Sequence, residues 1–192
     1  MPSSEKIAFF EIAHTLTRAK QADYVGEPVS QLEHALQCAA LAEASAGDEE
    51  MVIAALLHDI GHLIAGPEVP RMDGLGAVDH DHIGAKFLET CGFSGRIVEL
   101  VGGHVDAKRY LARRTARYLE KLSAASLETL RWQGGPMSDA EAAAFNLDPL
   151  RDEKLRLRAW DEAAKVPDLP AQDVRPYLER IESHLRSRST GK

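Results

Sequence analysis

An unbroken apolar run, Met51 to Leu57, leads directly into His58, Asp59, Ile60, Gly61 and His62. It delivers two adjacent polar side chains, and a third follows one helical turn later. Residues i and i+4 share a helix face, so His58 and His62 are expected to point into one cavity with Asp59 beside them. An imidazole and a carboxylate in an otherwise apolar helix need a counter-charge, a hydrogen-bond network or a metal. A satisfied core pair would answer for a lone His-Asp. Further histidines and aspartates in apolar or glycine-rich segments shift the balance towards a metal.

With 192 residues, 44% of them hydrophobic and 28% charged, the chain is long enough for one well-buried core and short for two. The expectation is a single domain over residues 1–192. A net charge of -7 argues against a nucleic-acid or anionic-membrane surface and leaves small anionic ligands open. Cys38 and Cys91 have no CxxC spacing and no secretory leader before them, which reads as two reduced, buried residues of a cytoplasmic protein. No stretch approaches the length of a membrane helix. The oligomeric state is not legible.

Apolar spacing predicts an amphipathic helix from Glu5 to Lys20, with His14 exposed. A glycine- and proline-punctuated loop follows at Asp23 to Pro28. Ser30 and Glu33 form a capping box that opens a helix to about Ser45 with His34 in its first turn. The acids after Gly47 complement the dipole of the central helix, and Gly61 suits a close backbone or ligand approach, or a C-cap. Ala65 to Ala77 reads as a long loop. His80 is expected inward at the next helix start, and His82 outward. Ser94 caps a helix continuing to Lys108 and Tyr110, with Lys108 one turn beyond His104. Thr115 to Trp132 reads as one helix, with Ser123 and Ser126 near its apolar side. A second capping box at Ser138 and Glu141 starts a short helix. The helix from about Leu150 to Ala164 is expected to bury Leu155, Leu157, Ala159 and Trp160, and to carry Arg158 and Asp161 on a shared face. The terminal helix spans Val174 to Arg188, with His184 exposed. No useful strand period and no repeat appear, so the fold class is all-α.

The possible ligands are then His34, His58, Asp59, His80, His104 and Asp161. Four imidazoles and two carboxylates suit two borderline or hard metal ions bridged by a shared carboxylate, for which Asp59 is the natural candidate. Ligand types alone allow iron, manganese or zinc.

These residues resemble the metal pattern of the HD-domain superfamily. The segments Tyr24-x-Gly26-Glu27, Gln31 to His34, Ala54 to Asp59, Gly103 to Val105, Ala107 to Leu111, Gln133 to Met137 and Arg158 to Glu162 together resemble its mixed-valent di-iron phosphonate oxygenases, over about Asp23 to Trp160. The resemblance implies a helical bundle with a buried di-metal site and a core of about residues 23–165, flanked by terminal helices. It implies one iron held by His34, His58, Asp59 and Asp161, and the other by Asp59, His80 and His104, as an Fe(II)/Fe(III) pair with dioxygen as co-substrate. The implied phosphonate ligands are His62, Lys108, Ser126 and Arg158, with Gln133 beside them. Tyr24 and Glu27 would form a lid over the amino end, and His62, Tyr24 and Glu27 are the expected catalytic positions. A carboxylate with an aromatic face also suits a quaternary ammonium. The implied reaction cleaves the C–P bond of a 1-hydroxy-2-(amino or trimethylammonio)ethylphosphonate to phosphate and glycine or glycine betaine. Two alternatives stay open: an HD-type metal-dependent phosphohydrolase of a small phosphate ester, and a metal-stabilised helical module without turnover.

Overall fold

The computed structural model describes residues 3–24 and 26–189. Val25 of the loop and the outermost residues of the expected 1–192 domain lie outside them. The described residues form α1 (Ser4–Ala19), α2 (Gln31–Ala44), α3 (Glu49–Leu57), α4 (Ile60–Ile64), α5 (His80–Thr90) and α6 (Gly95–Gly102). Then come α7 (His104–Arg114), α8 (Ala116–Leu119), α9 (Ala124–Trp132), α10 (Asp139–Asn146), α11 (Arg151–Ala163) and α12 (Arg175–Ser189). No strand occurs among them. Two isolated bridges, Asp23 to Ser30 and Arg71 to Ala77, close the necks of two loops.

Helix α3 is the axis of the bundle. Every residue from Met51 to Leu57 is buried, and α2, α6, α11 and α12 pack around it. An apolar helix with no solvated face has no other stable place. Asp48 starts it by accepting the Met51 N–H (3.0 Å), and Arg96 of α6 ties Asp48 and Glu50 to Glu153 of α11. Both expected capping boxes are present, at Ser30/Glu33 and Ser138/Glu141.

Three expected helices are broken. The first break falls after His58, where Asp59 leaves the helical region (φ -97°, ψ 8°); His58 and His62 therefore belong to consecutive helices rather than to one face. The second falls at Gly103, between α6 and α7. Two successive glycines cost about 1 kcal/mol each in a helix interior, and a Cβ on Gly103 would lie 2.5 Å from the Lys154 side chain. The third separates α8 from α9, where Ser123 accepts the Ser126 N–H (3.1 Å) and begins a new helix.

Burial corrects three single positions. Ala159 is exposed and Leu155 only half-buried, because α11 turns Lys154, Leu157, Arg158, Trp160 and Asp161 inward. His184 is half-buried rather than exposed, stacked on Phe93 at 5.5 Å and accepting the Ser94 N–H. His14 and His82 are exposed, and Cys38 and Cys91 are buried free thiols.

The contact that sets the site's width is between α4 and α5. A Cβ on Gly61 would fall 1.8 Å from the His80 carbonyl oxygen and 2.9 Å from the Gly84 nitrogen. Only glycine lets these two backbones touch. Gly61→Ala should destabilise the protein by about 3 kcal/mol, the upper range for forcing a methyl into a filled interior, as measured by urea unfolding.

Candidate active site

Four helix junctions and helix α11 bring the six expected ligand side chains to one point. His34 stands in the first turn of α2, His58 and Asp59 at the α3–α4 break, His80 and His104 at the starts of α5 and α7, and Asp161 on α11. All six are at least nine-tenths buried.

The imidazoles share one protonation pattern. His58 Nδ1 lies 2.8 Å from the Ala55 carbonyl, His80 Nδ1 3.3 Å from that of Ala77, and His104 Nδ1 2.7 Å from that of Val101. His34 Nδ1 lies 2.8 Å from the carbonyl of Ala164, beyond α11. A carbonyl only accepts, so each neutral ring carries its proton on Nδ1 and presents a bare Nε2 lone pair. These lone pairs face one another: His34 Nε2 to His58 Nε2 is 3.1 Å, and His80 Nε2 to His104 Nε2 is 3.0 Å. Two bare acceptors at that distance repel unless a proton on one ring or a metal cation lies between them.

The carboxylates divide between the two pairs. Asp59 Oδ2 lies 3.5 Å from His34 Nε2 and 3.4 Å from His58 Nε2; its Oδ1 lies 3.3 Å from His80 Nε2 and 3.5 Å from His104 Nε2. Asp161 Oδ1 joins the first pair, 3.4 Å from His34 Nε2. Asp59 Oδ2 and Asp161 Oδ1 are buried without a hydrogen-bond partner, a costly state for a carboxylate. Burial opposes ionisation of both, yet His58 beside Asp59 and Arg158 beside Asp161 outweigh it and hold both pKa values well below the usual range. Bare lone pairs and orphaned anionic oxygens around Asp59 fit a metal-binding role for this cluster.

His62 is different. Its ring stacks on His80 at 3.9 Å, and its Nδ1 accepts the Ala77 N–H (3.0 Å). Its proton is therefore on Nε2, making it a donor rather than a ligand. Burial and the nearby His80 push its pKa well down.

The cavity beside the ligands is lined by the remaining expected residues, Tyr24, Glu27, His62, Lys108, Ser126, Gln133 and Arg158. Arg158 bonds Asp161 through Nη1 and Glu162 and Tyr118 through Nε (2.8 and 3.1 Å), while its buried Nη2 has no partner. Lys108 donates to Thr129 Oγ1 (2.7 Å) and Gln133 Oε1 (2.9 Å); burial pushes its pKa down to about 6. Tyr24 stacks on His34 at 4.2 Å. Glu27 accepts from Ser123 and from Lys165 Nζ (2.7 Å).

Sequence reasoning passed over Thr129, Tyr118 and Lys165. Tyr118 carries the weak signal of an aromatic residue on a short amphipathic stretch. Lys165 looks like an ordinary cation past a helix end, and only its partner reveals it.

Residues 32–160 match the model of the HD domain. The chain belongs to the HD-domain family. It is 42% identical over 164 residues to a protein of Gimesia maris named hydroxymethylphosphonate dioxygenase, covering 84% of this chain and 81% of that one. It is 38% identical over 167 residues to a protein of Leisingera caerulea named 1-hydroxy-2-(trimethylamino)ethylphosphonate dioxygenase (glycine-betaine-forming), covering 85% of each. A third relative, uncharacterized protein L432 of Acanthamoeba polyphaga mimivirus, is 38% identical over 171 residues, 88% of this chain and 77% of that one. This HD-domain chain thus has oxygen-dependent enzymes among its relatives, and no helix of its described residues is long and apolar enough to cross a membrane.

Asp59→Asn should remove both metal ions, whereas Asp161→Asn should lower metal content from about two per chain to about one, read by elemental analysis. Imidazole ligation requires neutral rings, so metal-conferred stability is present above the histidine range and lost as pH falls through about 6. Melting curves with and without chelator at pH 5 and pH 8 check the sign.

Proposed function

We propose that the chain is a di-iron phosphonate oxygenase that cleaves the C–P bond of a small 1-hydroxyphosphonate with dioxygen. The supporting observation is the juxtaposition of four buried histidines and two buried aspartates with a buried cationic cradle whose Arg158 Nη2 lacks a partner. The reaction balances as R–CH(OH)–PO3H2 plus O2 giving R–COOH plus H3PO4: the C–P bond breaks and C1 is oxidised to the carboxylic acid. His34, His58, Asp59 and Asp161 would hold one iron, and Asp59, His80 and His104 the other. When bound, a mixed-valent iron pair supplies one-electron chemistry and the activation of dioxygen.

The chain's own residues bind and orient. Arg158 and Lys108 neutralise the phosphonate, a task that a planar fork and a point charge share well. Ser126 and the His62 Nε2–H donate to its remaining oxygens, and Gln133 keeps Lys108 aimed at it. Tyr24 and Glu27 cover the substituent on C1 and exclude water from the reacting carbon.

Iron-reconstituted protein should release phosphate from a 1-hydroxyphosphonate only when oxygen is present. Oxygen-independent hydrolysis of phosphate esters in its place would move the assignment to the phosphohydrolases. Arg158→Lys should raise KM about tenfold or more by losing the bidentate contact. Lys108 is depressed to about 6 in the free protein, so it is neutral above that pH and takes up a proton when a phosphonate arrives. Binding enthalpy at pH 8 should therefore vary with the buffer's ionisation enthalpy, and the dependence should disappear in Lys108→Met.

A further inference from the structure

Three of the four clustered histidines are held locally. The Nδ1 atoms of His58, His80 and His104 each face the carbonyl of the residue three positions earlier, so each ring is fixed by its own turn of chain. His34 is the exception. Its Nδ1 lies 2.8 Å from the carbonyl of Ala164, 130 residues further along, where α11 has already ended (φ -85°, ψ 43°). Tyr24 stacks on the His34 ring at 4.2 Å with an interplanar angle of 13°. Stacking sets the plane of an imidazole but does not choose which nitrogen carries the proton; the carbonyl chooses it.

Whatever holds the chain just beyond α11 therefore holds His34. Val166 precedes Pro167, which disfavours helical backbone at Val166 and takes its polar groups out of the α11 ladder. A side chain of α2 receives both of them. Gln37 Nε2 donates to the Val166 carbonyl (2.8 Å), and Gln37 Oε1 accepts the Val166 N–H (3.0 Å). Gln37 is buried and stands three residues after His34, on the same side of α2. One amide thus fastens the end of α11 to the helix that carries His34. Gln37 does not line the cavity that holds Lys108 and Arg158, and nothing in its own sequence setting marks it out.

Resting on the two-metal reading above, we propose that Gln37 is a positioning residue for one metal ion of the pair. It fixes the Ala164 carbonyl, the carbonyl fixes the His34 proton on Nδ1, and the Nε2 lone pair is kept for the metal. The effect is one-sided. His80 and His104 are held without Gln37, so the ion assigned to His34, His58, Asp59 and Asp161 depends on it and the other ion does not.

The test replaces Gln37 by methionine, which has a similar length and neither hydrogen-bonding group. Circular dichroism verifies the fold. In the metal-free protein, proton–nitrogen correlation spectra of the imidazoles should show His34 losing its fixed Nδ1 proton and averaging between tautomers, while His58, His80 and His104 keep their native signals. Zinc titration should give two tightly bound ions in the native protein; in Gln37→Met one of them should bind about tenfold or more weakly and the other with native affinity. Gln37→Glu, which still accepts the Val166 N–H, should lose less than Gln37→Met. An unchanged His34 ring, an equal disturbance of all four rings, or an equal weakening of both ions overturns the proposal. A His34 ring released in Gln37→Met, in a protein whose native form binds fewer than two ions, would support the role of Gln37 and count against the two-metal reading alone.

Discussion

The structure depends on one carboxylate answering four imidazoles. Asp59 sends one oxygen to His34 and His58 and the other to His80 and His104, so the two halves of the site are joined through a single side chain. That arrangement requires Asp59 to stand clear of any helix interior, and the chain achieves it by breaking the central helix immediately before it. The close approach of α4 to α5 at Gly61 then carries His80 to the far oxygen. Fold and centre are thus one problem: the apolar helix α3 sets the position, and the break sets the direction.

Charge is partitioned across the site rather than balanced pair by pair. On one side lie carboxylates and bare imidazole nitrogens that call for cations. On the other lie Lys108 and Arg158, which call for an anion, and Lys165, already paired with Glu27. Arg158 belongs to both, since its Nη1 holds Asp161 while Nη2 faces the cavity unpaired. A ligand anion therefore completes a network that the metal side begins, and the Tyr118 and Glu162 contacts keep the guanidinium in the one orientation that serves both.

Much of this was legible in the sequence because it is local. Capping serines announce helix starts by chemistry within three residues, and the ligand residues sit in apolar or glycine-rich settings where such side chains are otherwise costly. The breaks at Asp59 and Gly103 were not read from spacing; at Gly103 the glycine pair is a local signal, whereas the close approaches of His80 to Gly61 and of Lys154 to Gly103 are tertiary and show only in the fold. Local spacing alone runs the helix through. Lys165 was invisible for the same reason, its partner Glu27 lying 138 residues away, and Ala159 and Leu155 misled because α11 buries a charged stripe in place of an apolar one.

The Nδ1 partners of all four clustered imidazoles are main-chain carbonyls, three of them on the residue three positions before the histidine. No side-chain replacement can delete a carbonyl. Ring tautomer and orientation are therefore insulated from ordinary sequence drift, so long as the helix junctions keep their shape and Gln37 holds the end of α11. What remains adjustable by substitution is the anionic part of the coordination and the cationic fork attached to it. Divergence in the character of this cluster is therefore to be sought in its carboxylates, in Arg158 and in the rings stacked on it, Tyr24 and His62.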